Sequence, residues 1–243
     1  MKTYPVSGRL PPRVPAGIKR ILAGAVLLAL FETVVAGEPA ALAALRDKAA
    51  TGDTASQFAL GNVYAEGSEV TKDLAQAAQW YRKAAVNGMP EAQFNLGVMF
   101  SGGIGVTQDH GMAAVWFLRA ASQGMAEAQF NLGTLFAEGE GVPRDRAEAA
   151  KWYRKAAEQG YAEAQCNLGV MYCNGDGVPR DLIEAHVWFH AATANGDSSA
   201  RTNLARIEAE MTAGQKTVAL ELARKRFGPS LNQESLAAGA NHG

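Results

Sequence analysis

The chain has 243 residues, 48% hydrophobic and 19% charged, which is enough to bury a sizeable core and excludes a low-complexity or collagen-like polymer. Alanine is the commonest residue and aromatics make up only 8%, a balance that favours closely packed helices over a sheet-rich sandwich. The formal net charge of -1, from 23 basic and 24 acidic residues, leaves no basic field for a nucleic-acid backbone, and two cysteines are too few for a disulfide scaffold or a structural zinc site.

Residues 1–36 are set apart by charge. Lys2, Arg9, Arg13, Lys19 and Arg20 stand against Glu32 alone, and the remainder of the chain is acidic. The basic, proline-containing opening leads into the apolar run Ile21–Phe31, and Val34 and Ala36 suit the small-residue rule of a cleavage site. This pattern predicts a signal peptide over 1–36 and a periplasmic or secreted protein. The apolar run is well short of the roughly 20 residues that cross a bilayer as a helix, so no stable membrane span is expected after processing. Residues 37–52 follow, where Glu38–Ala50 reads as a lone capping helix.

From there a fixed step governs the chain. All four tryptophans, Trp80, Trp116, Trp152 and Trp188, are 36 residues apart, and each precedes an aromatic: Tyr81, Phe117, Tyr153 and Phe189. The same step carries Gly52 to Gly196, Leu60 to Leu204 and Asp73 to Asp181. Four repeats are expected over 53–196, bounded as 53–88, 89–124, 125–160 and 161–196. Each predicts two helices. In the second repeat these cover about 90–101, where Gln93, Leu96, Gly97 and Phe100 share a face, and about 109–123, where Ala113, Trp116, Phe117 and Ala120 do so.

The intervening loop, such as Gly139-Glu140-Gly141-Val142-Pro143-Arg144-Asp145, uses glycine for positive φ and ends on a capping aspartate. Gln76, Glu148 and Glu184 stand where a capping box would be completed. The mid-helix glycines Gly61, Gly97, Gly133 and Gly169 are expected to let two backbones approach with a tryptophan across the gap. One hairpin leaves an apolar face bare, so neighbours must stack. Residues 197–227 read as a partial repeat plus a last helix capped by Thr212, and 228–243 as a disordered tail.

Ala-Glu-Ala-Gln-Phe-Asn-Leu-Gly at 126–133, Gly-x-Gly-Val at 139–142 and Ala-x-x-Trp-Tyr-Arg-Lys-Ala-Ala at 149–157 resemble the Sel1-like repeat, a variant of the tetratricopeptide repeat. The resemblance implies an all-α, right-handed α/α solenoid of Sel1-like hairpins with helical caps. It departs from the pattern in the first repeat, where Glu69 replaces a loop glycine and Ala59 an asparagine. Some members staple each hairpin with a cysteine pair spanning adjacent helices, and this chain lacks those partners.

Chemistry-bearing patterns give way to packing. The recurrent Gly-x-Gly has no preceding strand and no following Lys-Ser/Thr, so it reads as a turn. His186 and His190, spaced i, i+4, form a weak candidate metal pair with no evident third ligand. Cys166 and Cys173 lie about 10 Å apart along one helix, beyond disulfide reach. Ser-x-x-Lys, Gly-x-Ser-x-Gly and His-Glu-x-x-His are all missing from the sequence, so no catalytic residue and no cofactor is expected.

What remains is a surface. By resemblance the concave groove is lined by Glu91, Phe94, Asn95 and Val98, then Glu127, Phe130, Asn131 and Thr134, then Asn167 and Val170. Asparagine can satisfy both N–H and C=O of an extended peptide. The competing expectation is that the phenylalanines pack between repeats and each asparagine bonds a neighbouring helix. The chain is thus expected to be a noncatalytic envelope adaptor binding another protein or peptide. The alternatives are an envelope hydrolase of β-lactamase type, since penicillin hydrolysis is attributed to some Sel1-like proteins, and a peptidoglycan-binding scaffold.

Overall fold

A computed structural model describes residues 39–228. The expected signal peptide and nearly all of the expected tail lie outside these residues. Eleven helices follow in order: α1 (Ala40–Ala50), α2 (Thr54–Glu66), α3 (Leu74–Val86), α4 (Pro90–Gly102), α5 (His110–Ser122), α6 (Ala126–Glu138), α7 (Arg146–Glu158), α8 (Ala162–Asn174), α9 (Leu182–Ala194), α10 (Ser198–Glu208) and α11 (Ala213–Phe227). There is no strand among the described residues. The chain divides between Ala120 and Ala121 into two compact bodies, and each is considered by itself.

Local chemistry sets the helix ends. α6 stops at Gly139, whose φ of 77° places it in the left-handed region and whose N–H returns to Leu135 O. α7 starts at Asp145, whose carboxylate accepts the Glu148 N–H at 2.9 Å. The capping boxes expected at Gln76, Glu148 and Glu184 do not form, because the backbone N–H that the box would bond is already taken. Asp73, Asp145 and Asp181 each donate it to an aromatic carbonyl of the preceding helix, Tyr64, Phe136 and Tyr172, all at 2.9 Å. Glu148 turns to Lys151 and Glu184 to Arg226 instead. A full box occurs at Thr212 and Gln215, opening α11 as the sequence predicts for Thr212.

The mid-helix glycines do permit a close approach, but the ring that fills the gap belongs to the residue after tryptophan. A Cβ on Gly133 would stand 2.8 Å from the Tyr153 ring, and one on Gly169 would stand 2.7 Å from Phe189. One helical residue turns the side chain by about 100°, which sends the tryptophan to a different face. There a cation covers it: Lys155 Nζ lies 3.9 Å from the Trp152 centroid and Lys83 Nζ 3.6 Å from Trp80.

Successive repeats are joined by a buried glutamine at each step. Gln165 Nε2 donates to Ala157 O at 3.0 Å, across the turn from α7 to α8, and Gln165 Oε1 accepts from Asn195 Nδ2 at 2.9 Å. Gln57, Gln93 and Gln129 reach Ala49, Ala85 and Ala121 carbonyls in the same way. A second joint stacks an arginine over an aromatic 18 residues later: Arg46 on Tyr64, Arg82 on Phe100 and Arg154 on Tyr172, each 5.9 Å from the ring centroid. At the C-terminal end α10 and α11 close over α9, burying Ile207, Met211, Ala219 and Ala223 with Phe189 and Val170.

Candidate functional site

The first-helix face of residues 39–120 carries Glu91, Phe94, Asn95 and Val98 on α4. Phe94 and Val98 are 6% and 8% exposed, so both are core residues and are removed from contact with a partner. Phe94 packs on Phe117 with centroids 5.8 Å apart. Asn95 is half-buried and hydrogen-bonds the Tyr81 hydroxyl, which itself donates to Asn62 Oδ1 at 2.7 Å. Burial holds the Tyr81 phenol above its ordinary range. Glu91, half-buried in the first turn of α4, completes the row.

In residues 121–228 the same face is built by α6 and α8. Asn167 and Val170 are 3% and 1% exposed, covered where α10 packs over α8, and so they too serve packing. Asn167 bonds the Tyr153 hydroxyl, whose pKa is pushed up to about 12 by burial. That hydroxyl also meets Thr134 Oγ1 at 3.0 Å, while Thr134 donates to Phe130 O at 3.1 Å. Phe130 is half-buried between Tyr153 and Tyr161, with centroids 5.6 and 5.1 Å away.

Asn131 differs from its counterparts. Its Nδ2 donates to Glu127 O of its own helix at 2.7 Å, leaving Oδ1 uncommitted, and Glu127 beside it is exposed. The asparagine ladder is therefore not uniform. Asn95 and Asn167 bond a tyrosine hydroxyl, whereas the half-buried Asn131 bonds a carbonyl of its own helix.

His186 and His190 are 0% and 3% exposed on α9, with ring centroids 6.1 Å apart. His186 Nε2 lies 3.0 Å from Glu208 Oε1, and the Nδ1 atoms of both rings are buried without a hydrogen-bond partner. Burial lowers both pKa values; the Glu208 contact opposes this at His186, and the neighbouring His186 adds to it at His190. The described residues contain no group of three or more His, Cys, Asp or Glu side chains placed to hold a metal ion. Cys166 and Cys173 are free and buried, and burial raises their thiols to about 11 and about 12, far from the thiolate form that reacts.

Two features escaped the sequence reading although the step of 36 marks them. Gln57, Gln93, Gln129 and Gln165 recur in phase, yet their bonds to carbonyls eight residues back become visible only with coordinates. The bonds of Asn95 and Asn167 to the Tyr81 and Tyr153 hydroxyls likewise need the contact itself.

Comparison with curated proteins finds no match. Among solved structures, a Sel1 repeat protein from Oxalobacter formigenes is 39% identical, with a TM-score of 0.62 over 69% of this chain and 48% of its own. A protective antigen from uropathogenic Escherichia coli strains, displaying an SLR fold, is 31% identical with a TM-score of 0.46 over 84% of this chain and 52% of its own. The chain thus spans about half the length of these two relatives. Four stretches, 54–88, 90–125, 126–161 and 162–197, match the Sel1 repeat, whose members generally mediate protein–protein interaction and are typically noncatalytic. With its repeating α-hairpins, glycine-seated aromatics and glutamine joints, the chain belongs to the Sel1 repeat family of all-α solenoid proteins.

Proposed function

We propose that this protein is a noncatalytic adaptor of the cell envelope that holds a partner protein on the first-helix face of its repeats. The observation that carries the reading is Asn131: a half-buried amide with a free carbonyl oxygen, flanked by exposed Glu127 and half-buried Phe130. An extended peptide backbone needs an acceptor and a donor at one place, and an asparagine amide supplies both. Phe130 adds an apolar edge for a neighbouring side chain. Export rests on the basic and apolar opening of residues 1–36, and the adaptor role on the general behaviour of Sel1 repeats.

A photo-crosslinking residue placed at 131 tests this reading in the living cell. The expected result is one protein captured at 131 and not from the exposed position 217 on α11. Equal labelling at both positions would overturn it. Fractionation of the same cells checks location, with recovery of the shortened chain in the envelope fraction expected.

A further inference from the structure

α10 and α11 both pack on α9, and the buried imidazoles of His186 and His190 lie beneath them, their ring centroids 6.1 Å apart. The charges acting on the pair are Glu208 from α10 and Lys216 and Arg224 from α11. α8, which also packs on α9, adds the thiols of Cys166 and Cys173 to the adjoining core, and burial keeps both protonated. The Glu208 carboxylate, 3.0 Å from His186 Nε2, can only accept, so Nε2 carries the proton of the neutral ring and Nδ1 is left bare. That Nδ1 is buried without a hydrogen-bond partner, and so is Nδ1 of His190.

A proton taken up at His186 Nδ1 creates a charged donor in a dry place with no acceptor. With both rings charged, four cations share the single carboxylate of Glu208. Water can solvate them only if a covering helix moves. Burial holds both imidazoles below the ordinary 6.5, so the closed arrangement is fully stable above about pH 6.5 and weakens as the pH falls below it. The ion pair at the far end of α11 does not share this response: Arg226 forks both oxygens of Glu184 at 2.8 and 2.7 Å and keeps that carboxyl below its ordinary range.

We infer that α10 and the start of α11 form an acid-released cover, which lifts from α8 and α9 when His186 and His190 take up protons while the preceding repeats stay folded. Opening of one terminal unit ahead of the rest is the ordinary behaviour of a chain whose elements contact only their neighbours. The joints of the earlier repeats, made by Gln57, Gln93 and Gln129 to backbone carbonyls, hold no group that titrates in this range, so the acid step is confined to the cover. Its lifting uncovers Asn167 and Val170, which share the register of Asn131 and Thr134 and are buried where α10 packs on α8. The Glu184–Arg226 pair tethers the far end of α11, so the cover stays attached and can close again. The inference stands whether or not Asn131 meets a partner.

Cys166 and Cys173, the two cysteines of the chain, are buried in the core that α10 and α11 close, so their labelling reports on the cover. The whole chain is treated with a pyridyl disulfide, which still reacts with thiols in acid, at about pH 7.5 and about pH 5. Each rate is divided by that of the urea-unfolded chain at the same pH, giving a protection factor. Protection is expected to fall at least about tenfold in acid, since each histidine contributes up to about tenfold per pH unit, and to change less than about twofold in His186→Gln/His190→Gln. Amide exchange in α2–α7 should stay slow throughout. In Glu208→Gln the side-chain carbonyl still accepts from Nε2 but the offsetting charge is gone, so protection is lost at a higher pH than in the parent; this variant decides the matter should the double variant lose its helical signal. Unchanged protection in acid, an equal fall in parent and double variant, a Glu208→Gln transition at the parent's pH, or opening of α2–α7 together with the cover would each overturn the inference.

Discussion

A methyl group built on Gly169 meets two carbons of the Phe189 ring at 2.7 Å, and that ring is fully buried. Alanine ordinarily improves a helix by about 1 kcal/mol over glycine, whereas forcing extra volume into a closed core costs about 1–3 kcal/mol. Gly169→Ala is therefore expected to destabilise the chain by about 1 kcal/mol net. Gly214, exposed in α11 with nothing within 4 Å of its added Cβ, carries no such obstacle, and Gly214→Ala is expected to stabilise by about 0.5 kcal/mol. Urea midpoints moving in opposite directions check the pair; a stabilised Gly169→Ala would show that the seat of the ring is loose. The sequence announced that these glycines face something large. It could not say which aromatic, because Trp-Tyr and Trp-Phe place two rings one residue apart and only packing chooses between them.

The joints between helices rest on polar atoms that the periodic pattern does not distinguish from surface residues. Gln165 is 2% exposed and satisfies Ala157 O with one end and Asn195 with the other. Gln165→Met would preserve volume and strand the buried carbonyl, at a cost of about 1–3 kcal/mol. Hydrogen exchange should show faster opening of amides in α7 and α8 with those of α2 and α3 unchanged; uniform protection across the chain would refute the role. Helix limits were readable to within a few residues, since aspartate caps and glycine stops are local signals. The capping boxes were not, because the competing carbonyls of Tyr64, Phe136 and Tyr172 come from the preceding helix. Likewise Asn167 and Val170 share their register with Asn131 and Thr134, but they are buried where α10 packs on α8 and Asn167 bonds the Tyr153 hydroxyl.

Folding of the whole chain is coupled to proton concentration through the two histidines under the C-terminal helices. Both are buried, and both have pKa values below the ordinary 6.5; the charged groups facing them are Glu208 from α10 and Lys216 and Arg224 from α11. A depressed histidine pKa means that the unfolded chain takes up the proton first. Stability is then complete above about pH 6.5 and falls as the pH drops through 6.5 toward the lower folded values. The melting temperature at pH 5.5 should lie a few degrees below that at pH 7.5, with the gap narrowed in a His186→Gln/His190→Gln variant; an unchanged gap would place the acid sensitivity elsewhere. On this scale the sequence was informative about architecture and silent about occupancy. Tryptophan spacing dictates the hairpins, but the closure of the C-terminal end depends on how α11 folds back onto α9.

The glutamine joint also governs how such a chain can change its length. Each glutamine reaches a carbonyl eight residues earlier, across a boundary that returns every 36 residues. Duplicating or excising one block of that size regenerates the same seam, with every amide still matched. An insertion of any other size inside a helix pair leaves a seam with an orphaned atom in a dry interior. Growth and shrinkage by unequal recombination are accordingly quantised in whole repeats, while the chemistry of their mortar stays constant.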